Sequence, residues 1–84
     1  MAYEQLNQFL GAEIRGARAR LRMSQDELAN AVGLAKATIS RIECGERAAK
    51  AEHLVLIGES LGVPATELVQ LARDAHDAAM SADV

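Results

Sequence analysis

The chain has 84 residues, half of them apolar, with Tyr3 and Phe9 its only aromatics and 9 basic against 12 acidic side chains for a net charge of −3. That length reads as one domain with a modest core. No apolar run is long enough to span a membrane, and nothing resembles a signal peptide. One cysteine, Cys44, excludes an internal disulfide, so the expected compartment is the cytoplasm.

An Ala- and Leu-rich sequence with a single proline predicts an all-α fold, and a small helical domain gains burial by dimerising. In chain order, Leu6, Leu10, Ile14, Ala17 and Leu21 recur at helical spacing and predict a first helix over about residues 4–22. Gly11 and Gly16 are expected to weaken it by roughly 1 kcal/mol each relative to Ala. Ser24 and Glu27 form a capping box that opens a second helix, which buries Leu28, Ala29 and Val32 and stops at Gly33. A third helix over about 36–43 buries Ile39 and Ile42 and ends at Cys44-Gly45. After a polar, basic loop over 45–50, a fourth helix over about 51–61 carries Leu54, Ile57 and Leu61 on one face and stops at Gly62. Pro64 suits the first turn of a fifth helix, continued by Leu68, Leu71, Ala72 and Ala75 to about Met80, with residues 81–84 expected to fray.

Residues 24–43 carry the most information. Two short helices joined by a tight turn can pack at a steep angle when a small residue, Ala29, lets them approach. Gly33 supplies a positive φ, and branched side chains close the wedge. Such a unit projects its second helix as a rod that fits a DNA major groove. The charge distribution agrees. Residues 15–50 hold eight bases against four acids, whereas residues 51–84 hold Arg73 alone against six acids. Phosphate attraction depends on this local field and not on the total, and a merely solvated surface would not segregate charge in this way.

With these residues in place, the chain resembles the phage repressor/Cro-type helix-turn-helix family, also called the xenobiotic-response-element family, over residues 14–68. The resemblance is carried by RARLRMSQDELA over 18–29, VGLAKATISRIECG over 32–45 and LGVPATEL over 61–68. It implies a five-helix, lambda-repressor-like fold, all-α, in which helix three reads the groove and the protein often binds as a dimer. Family members often have Gly where Arg22 stands, Ser where Ala35 stands, Asn at Cys44 and a Pro-Ser pair at Ala49-Lys50. These departures bear on local caps and on one phosphate contact at Cys44.

The resemblance implies that Lys36, Ala37, Thr38 and Arg41 face the groove, with Ser40 one turn from Lys36 touching backbone or a base. Arg41 suits a bidentate contact to guanine, Lys36 a guanine or a phosphate, and Ala37 a thymine methyl. Gln25, in the first turn of helix two, is expected to hold a phosphate together with the helix N-terminus, the alternative being that it only solvates the helix start. Arg47 and Lys50 are expected phosphate partners by charge and position, while Arg15 and Arg22 are weaker candidates beside the reading as solvated surface arginines. The family's Arg–Glu pair falls here on Arg18 and Glu43, tying helix one to the end of helix three, with Arg18 also within the phosphate-contacting set. For dimerisation, Val55 and Leu56 on helix four and Val69, Ala72, His76 and Met80 on helix five line up beyond what one protomer's core needs.

Cys44 reads as an inert loop thiol, and His53 and His76 read as surface residues without ligand spacing, so no metal or cofactor is expected. No catalytic constellation can be assembled, so an enzyme is not expected. The expected partners are double-stranded DNA and a second copy, and the expected function is a sequence-specific transcriptional regulator. A restriction-modification controller or an antitoxin with a toxin partner has the same fold and stays open. So does a protein-interaction module that has lost DNA binding, which the acidic C-terminal third would suit. The whole chain is expected to be one domain, its helix-five extension serving dimerisation, with no room for a ligand-sensing unit.

Overall fold

Five apolar stripes become five α-helices in the computed structural model, which describes residues 5–82. They are α1 (Leu6–Arg20), α2 (Gln25–Val32), α3 (Lys36–Glu43), α4 (Ala51–Leu61) and α5 (Ala65–Ser81). Each contributes one side chain to a fully buried centre: Ile14, Leu28, Ile39, Ile57 and Leu68. Burying a branched aliphatic of this size contributes about 1.5–3 kcal/mol relative to leaving it exposed, so this one layer ties all five helices together. Within the assembly α1 lies against α3 and α5, and α2 packs on α3 and α4.

The helix ends follow local chemistry. The start expected near residue 4 lies outside the described residues. α1 stops at Arg20 rather than 22 because Arg22 adopts a left-handed backbone, φ 54°. The Arg22 amide then donates to the Ala19 carbonyl at 3.0 Å and the Met23 amide to the Arg18 carbonyl at 3.1 Å, which closes the last turn in a Schellman motif. Leu21 caps this end and is 52% exposed, so it drops out of the buried stripe expected for it. At α2 the capping box is complete, with Glu27 N donating to Ser24 Oγ and Ser24 N to Glu27 Oε1, both at 3.0 Å. Pro64 stands just before α5 as its N-cap and not inside its first turn.

Gly11 is a necessity where a weakness was expected. A Cβ there would lie 2.3 Å from the Ile42 carbonyl oxygen and 2.5 Å from that of Glu43. The missing side chain is what lets the middle of α1 lie directly on the last turn of α3.

The long contact between α1 and α5 corrects two further expectations. Ala72 and His76 are buried within the protomer and are unavailable to a second copy. His76, 4% exposed, is no surface histidine: its ring meets Phe9 of α1 edge-on, with centroids 5.7 Å apart and planes at 80°. Leu71 lies on the outer part of the same helix and is exposed.

Candidate nucleic-acid interface

The turn between α2 and α3 is made by Gly33 at φ 74°, after which the Leu34 amide bonds back to the Ala29 carbonyl at 3.0 Å. α3 then runs for eight residues with Ile39, Ile42 and Glu43 buried. Successive helical side chains turn by about 100°, so the direction opposite this buried set belongs to Ala37 and Arg41, one turn apart. Both are exposed. Lys36 is exposed on one shoulder with Ser40 half-buried between it and Ala37, and Thr38 is half-buried on the other shoulder beside Arg41. The five residues therefore form one outward surface with Arg41 and Ala37 at its crest.

The orientation of this helix rests on one carboxylate. Glu43 Oε2 accepts from Arg18 Nε at 2.7 Å, and its Oε1 accepts from Arg18 Nη2 and from Gln25 Nε2, both at 3.0 Å. Arg18 Nη1 donates at 2.7 Å to the Met23 carbonyl in the turn that leads into α2. The structure thus brings Arg18 and Glu43 together as a bidentate pair and adds Gln25, so that α1, α2 and the end of α3 meet at a side chain only 1% exposed. The hydrogen bond to Glu43 is the main cause that raises the Arg18 pKa above its ordinary value, against the opposing effect of burial.

This geometry modifies two expected phosphate contacts. Gln25 is half-buried with its amide nitrogen directed at Glu43, which fits neither a side chain held for phosphate alone nor one that only solvates the helix start. Arg18 has three of its five N–H groups engaged inside the protein, which leaves it mainly a tether. The Gln25 role carries no local sequence signal, because Gln25 and Glu43 are 18 residues apart.

Across the end of α3 the chain turns sharply at Gly45, φ 77°, where a Cβ would lie 2.6 Å from Gln8 Cα. The Glu46 amide bonds to the Arg41 carbonyl at 2.9 Å, and the loop that follows leaves Arg47 and Lys50 exposed. Lys36 Nζ lies 3.8 Å from Asp26 Oδ2, a loose pair of exposed groups that puts the start of α3 beside the first turn of α2. Ala35 occupies the N-cap of α3 in extended geometry and supplies no side-chain bond. Cys44 is free and exposed, and among the described residues no group of His, Cys, Asp and Glu gathers as a metal site.

Val55 and Val69 line one apolar groove between α4 and α5, with Leu54, Ala65 and Arg73 on its walls. Leu56 is exposed but does not line this groove, and Met80 is exposed about three turns further along α5. No single described helix is long and apolar enough to cross a membrane.

A buried α2–α3 wedge, a third helix with one face free and basic side chains around it define a helix-turn-helix DNA-binding domain. The chain belongs to the helix-turn-helix family, whose model matches residues 14–68. It is a DNA-binding transcriptional regulator by class. Its backbone is similar to that of the clp gene regulator ClgR from Corynebacterium glutamicum, with a TM-score of 0.87 at 24% identity over 93% of this chain and 83% of that one. A second crystal structure of ClgR aligns with a TM-score of 0.77 at 28% identity, over 82% and 88% of the two chains. The restriction-modification controller protein C.AhdI from Aeromonas hydrophila shares the fold, with a TM-score of 0.71 at 24% identity over 74% and 94%. No curated protein sequence is matched.

Proposed function

We propose that this protein is a sequence-specific repressor or autoregulator that acts in the cytoplasm, binding a near-palindromic operator as a homodimer. The observation that carries the reading is the division of α3, one side buried on Ile39 and Ile42 and the other presenting Lys36, Ala37 and Arg41 to solvent with Ser40 half-buried among them. A helix held this way enters a major groove. Arg41 donates in bidentate fashion to guanine O6 and N7, while Ala37 leaves room for a thymine methyl. Arg47 and Lys50 hold phosphates on one flank, and the first turn of α2 offers its amide groups on the other. The likeness to a regulator of clp genes at 28% identity supports a role in transcription.

The second copy is brought in by the exposed apolar side chains of α4 and α5. Val55, Val69 and Met80 are the core of the proposed contact and Leu56 its margin, without Ala72 and His76. A twofold axis through this face sets the two α3 helices to enter successive major grooves, so half-site centres lie about one helical turn apart. Selection from random duplex DNA, followed by sedimentation of the complex, tests the reading. The expected result is a site with dyad symmetry bound by two protomers. A selected site without dyad symmetry, or a complex with one protomer per site, contradicts it.

A further inference from the structure

Arg22 is the one non-glycine residue with positive φ among the described residues, and nothing in the backbone calls for arginine there. The position is the left-handed residue of the motif that closes α1, where glycine carries no steric penalty and Asn or Asp a reduced one. Arginine has neither advantage. Its side chain is exposed and makes no hydrogen bond or ion pair within the described residues, so the turn is repaid by its backbone bonds but the choice of arginine over glycine is not repaid inside the protein. Its location is specific. The next residue, Met23, is clamped by Arg18 through its carbonyl, and Ser24 caps the helix whose first turn adjoins Lys36. The left-handed turn therefore roots a positively charged side chain at the entrance to α2, two residues before the cap of the helix whose first turn adjoins Lys36.

We propose that Arg22 is a phosphate-binding residue that extends the contact made by α2 outward along the DNA backbone by one phosphate per half-site, retained at the expense of stability. This deepens the proposed DNA-binding function and rests on it. A backbone contact of this kind adds affinity for every sequence and leaves base preference unchanged. Backbone conformations that the chain itself disfavours tend to persist where a site needs them, and here the need is a positive charge at the start of α2.

The test compares the full chain with Arg22→Gly, Arg22→Asn and Arg22→Lys in thermal unfolding and in binding to the selected operator and to unrelated duplex across a salt series. Arg22→Gly is expected to unfold a few degrees higher and to bind both DNAs several-fold more weakly. The slope of log K against log salt should fall by about two for a dimer, one phosphate being lost on each half-site. Arg22→Asn should lose binding to the same extent, and Arg22→Lys should retain most of it, because charge and not backbone shape is what the DNA sees. If the wild-type chain binds DNA while Arg22→Gly and Arg22→Asn keep its affinity and salt slope, Arg22 touches no phosphate and the proposal is wrong. A wild-type chain that binds no DNA overturns the functional reading and this proposal together. A loss confined to the operator, with unrelated DNA bound as before, would make Arg22 a sequence-reading residue and equally overturn it.

Discussion

Glu43 is an acid at the end of the helix that approaches DNA, where its charge alone would oppose binding. Its place is explained by three N–H groups from two other helices, which leave the carboxylate with almost no contact with water. Buried pairs add little net stability compared with an apolar replacement, but removing one partner leaves the other uncompensated. Glu43→Ala would strand the Arg18 guanidinium and the Gln25 amide at once. The variant is expected to lose about 3 kcal/mol of stability and to bind DNA more weakly, because α3 loses its tether. Chemical denaturation and operator affinity check this jointly. Tighter binding with unchanged stability would show that the pair does not orient the helix. Gly11→Ala acts at the same contact from the α1 side, where the new methyl meets two backbone carbonyls that cannot move independently. It is expected to destabilise by roughly 3 kcal/mol, measured in the same denaturation series.

At the scale of single elements, α2 and α3 were legible because their boundaries are written locally. The Ser24–Glu27 box, Gly33 and Gly45 each act within four residues of a helix end, and the structure uses all of them. What could not be read was which distant group each face meets. Gly11 looks like a defect when only α1 is considered, and the share of Gln25 in Glu43 depends on how two helices cross. Leu68, Ala72 and His76 form one stripe at i, i+4 and i+8, and periodicity cannot say whether such a stripe meets the same chain or a second one. Here α1 packs on α5, and Phe9 meets the His76 end of the stripe. The uncapped start of α3 offers a direct test of local reasoning. Ala35 already has the extended backbone of an N-cap, φ −72° and ψ 148°. Ala35→Ser is expected to add about 1 kcal/mol of stability by satisfying an orphan amide of the first turn. An unfolding midpoint that stays in place would mean that the side chain finds no donor there.

For the whole molecule, charge and exposed apolar surface divide along the chain. The basic segment surrounds α3, while the acidic C-terminal third carries the exposed Val55, Val69 and Met80. A charge introduced into the groove between α4 and α5 should spare the protomer, because these side chains are exposed in it. Paired Val55→Asp and Val69→Asp substitutions are expected to weaken self-association at least about ten-fold, equivalent to 1.4 kcal/mol, with the circular dichroism of the monomer retained. Sedimentation over a range of concentrations reads the change. A dimer unaffected by both substitutions would place the twofold axis elsewhere.

In the proposed complex the outward face of α3 reads sequence while the loop after it only holds the backbone. Binding of Arg41→Ala and Arg47→Ala to the selected operator and to each of its single-base variants separates the two roles. Arg41→Ala is expected to cost roughly 1–3 kcal/mol and to relax preference at one base pair in each half-site. Arg47→Ala is expected to weaken all sequences alike and to lower the salt slope. An Arg41→Ala protein whose base preferences match those of the wild type would contradict the assignment of α3 as the reading helix.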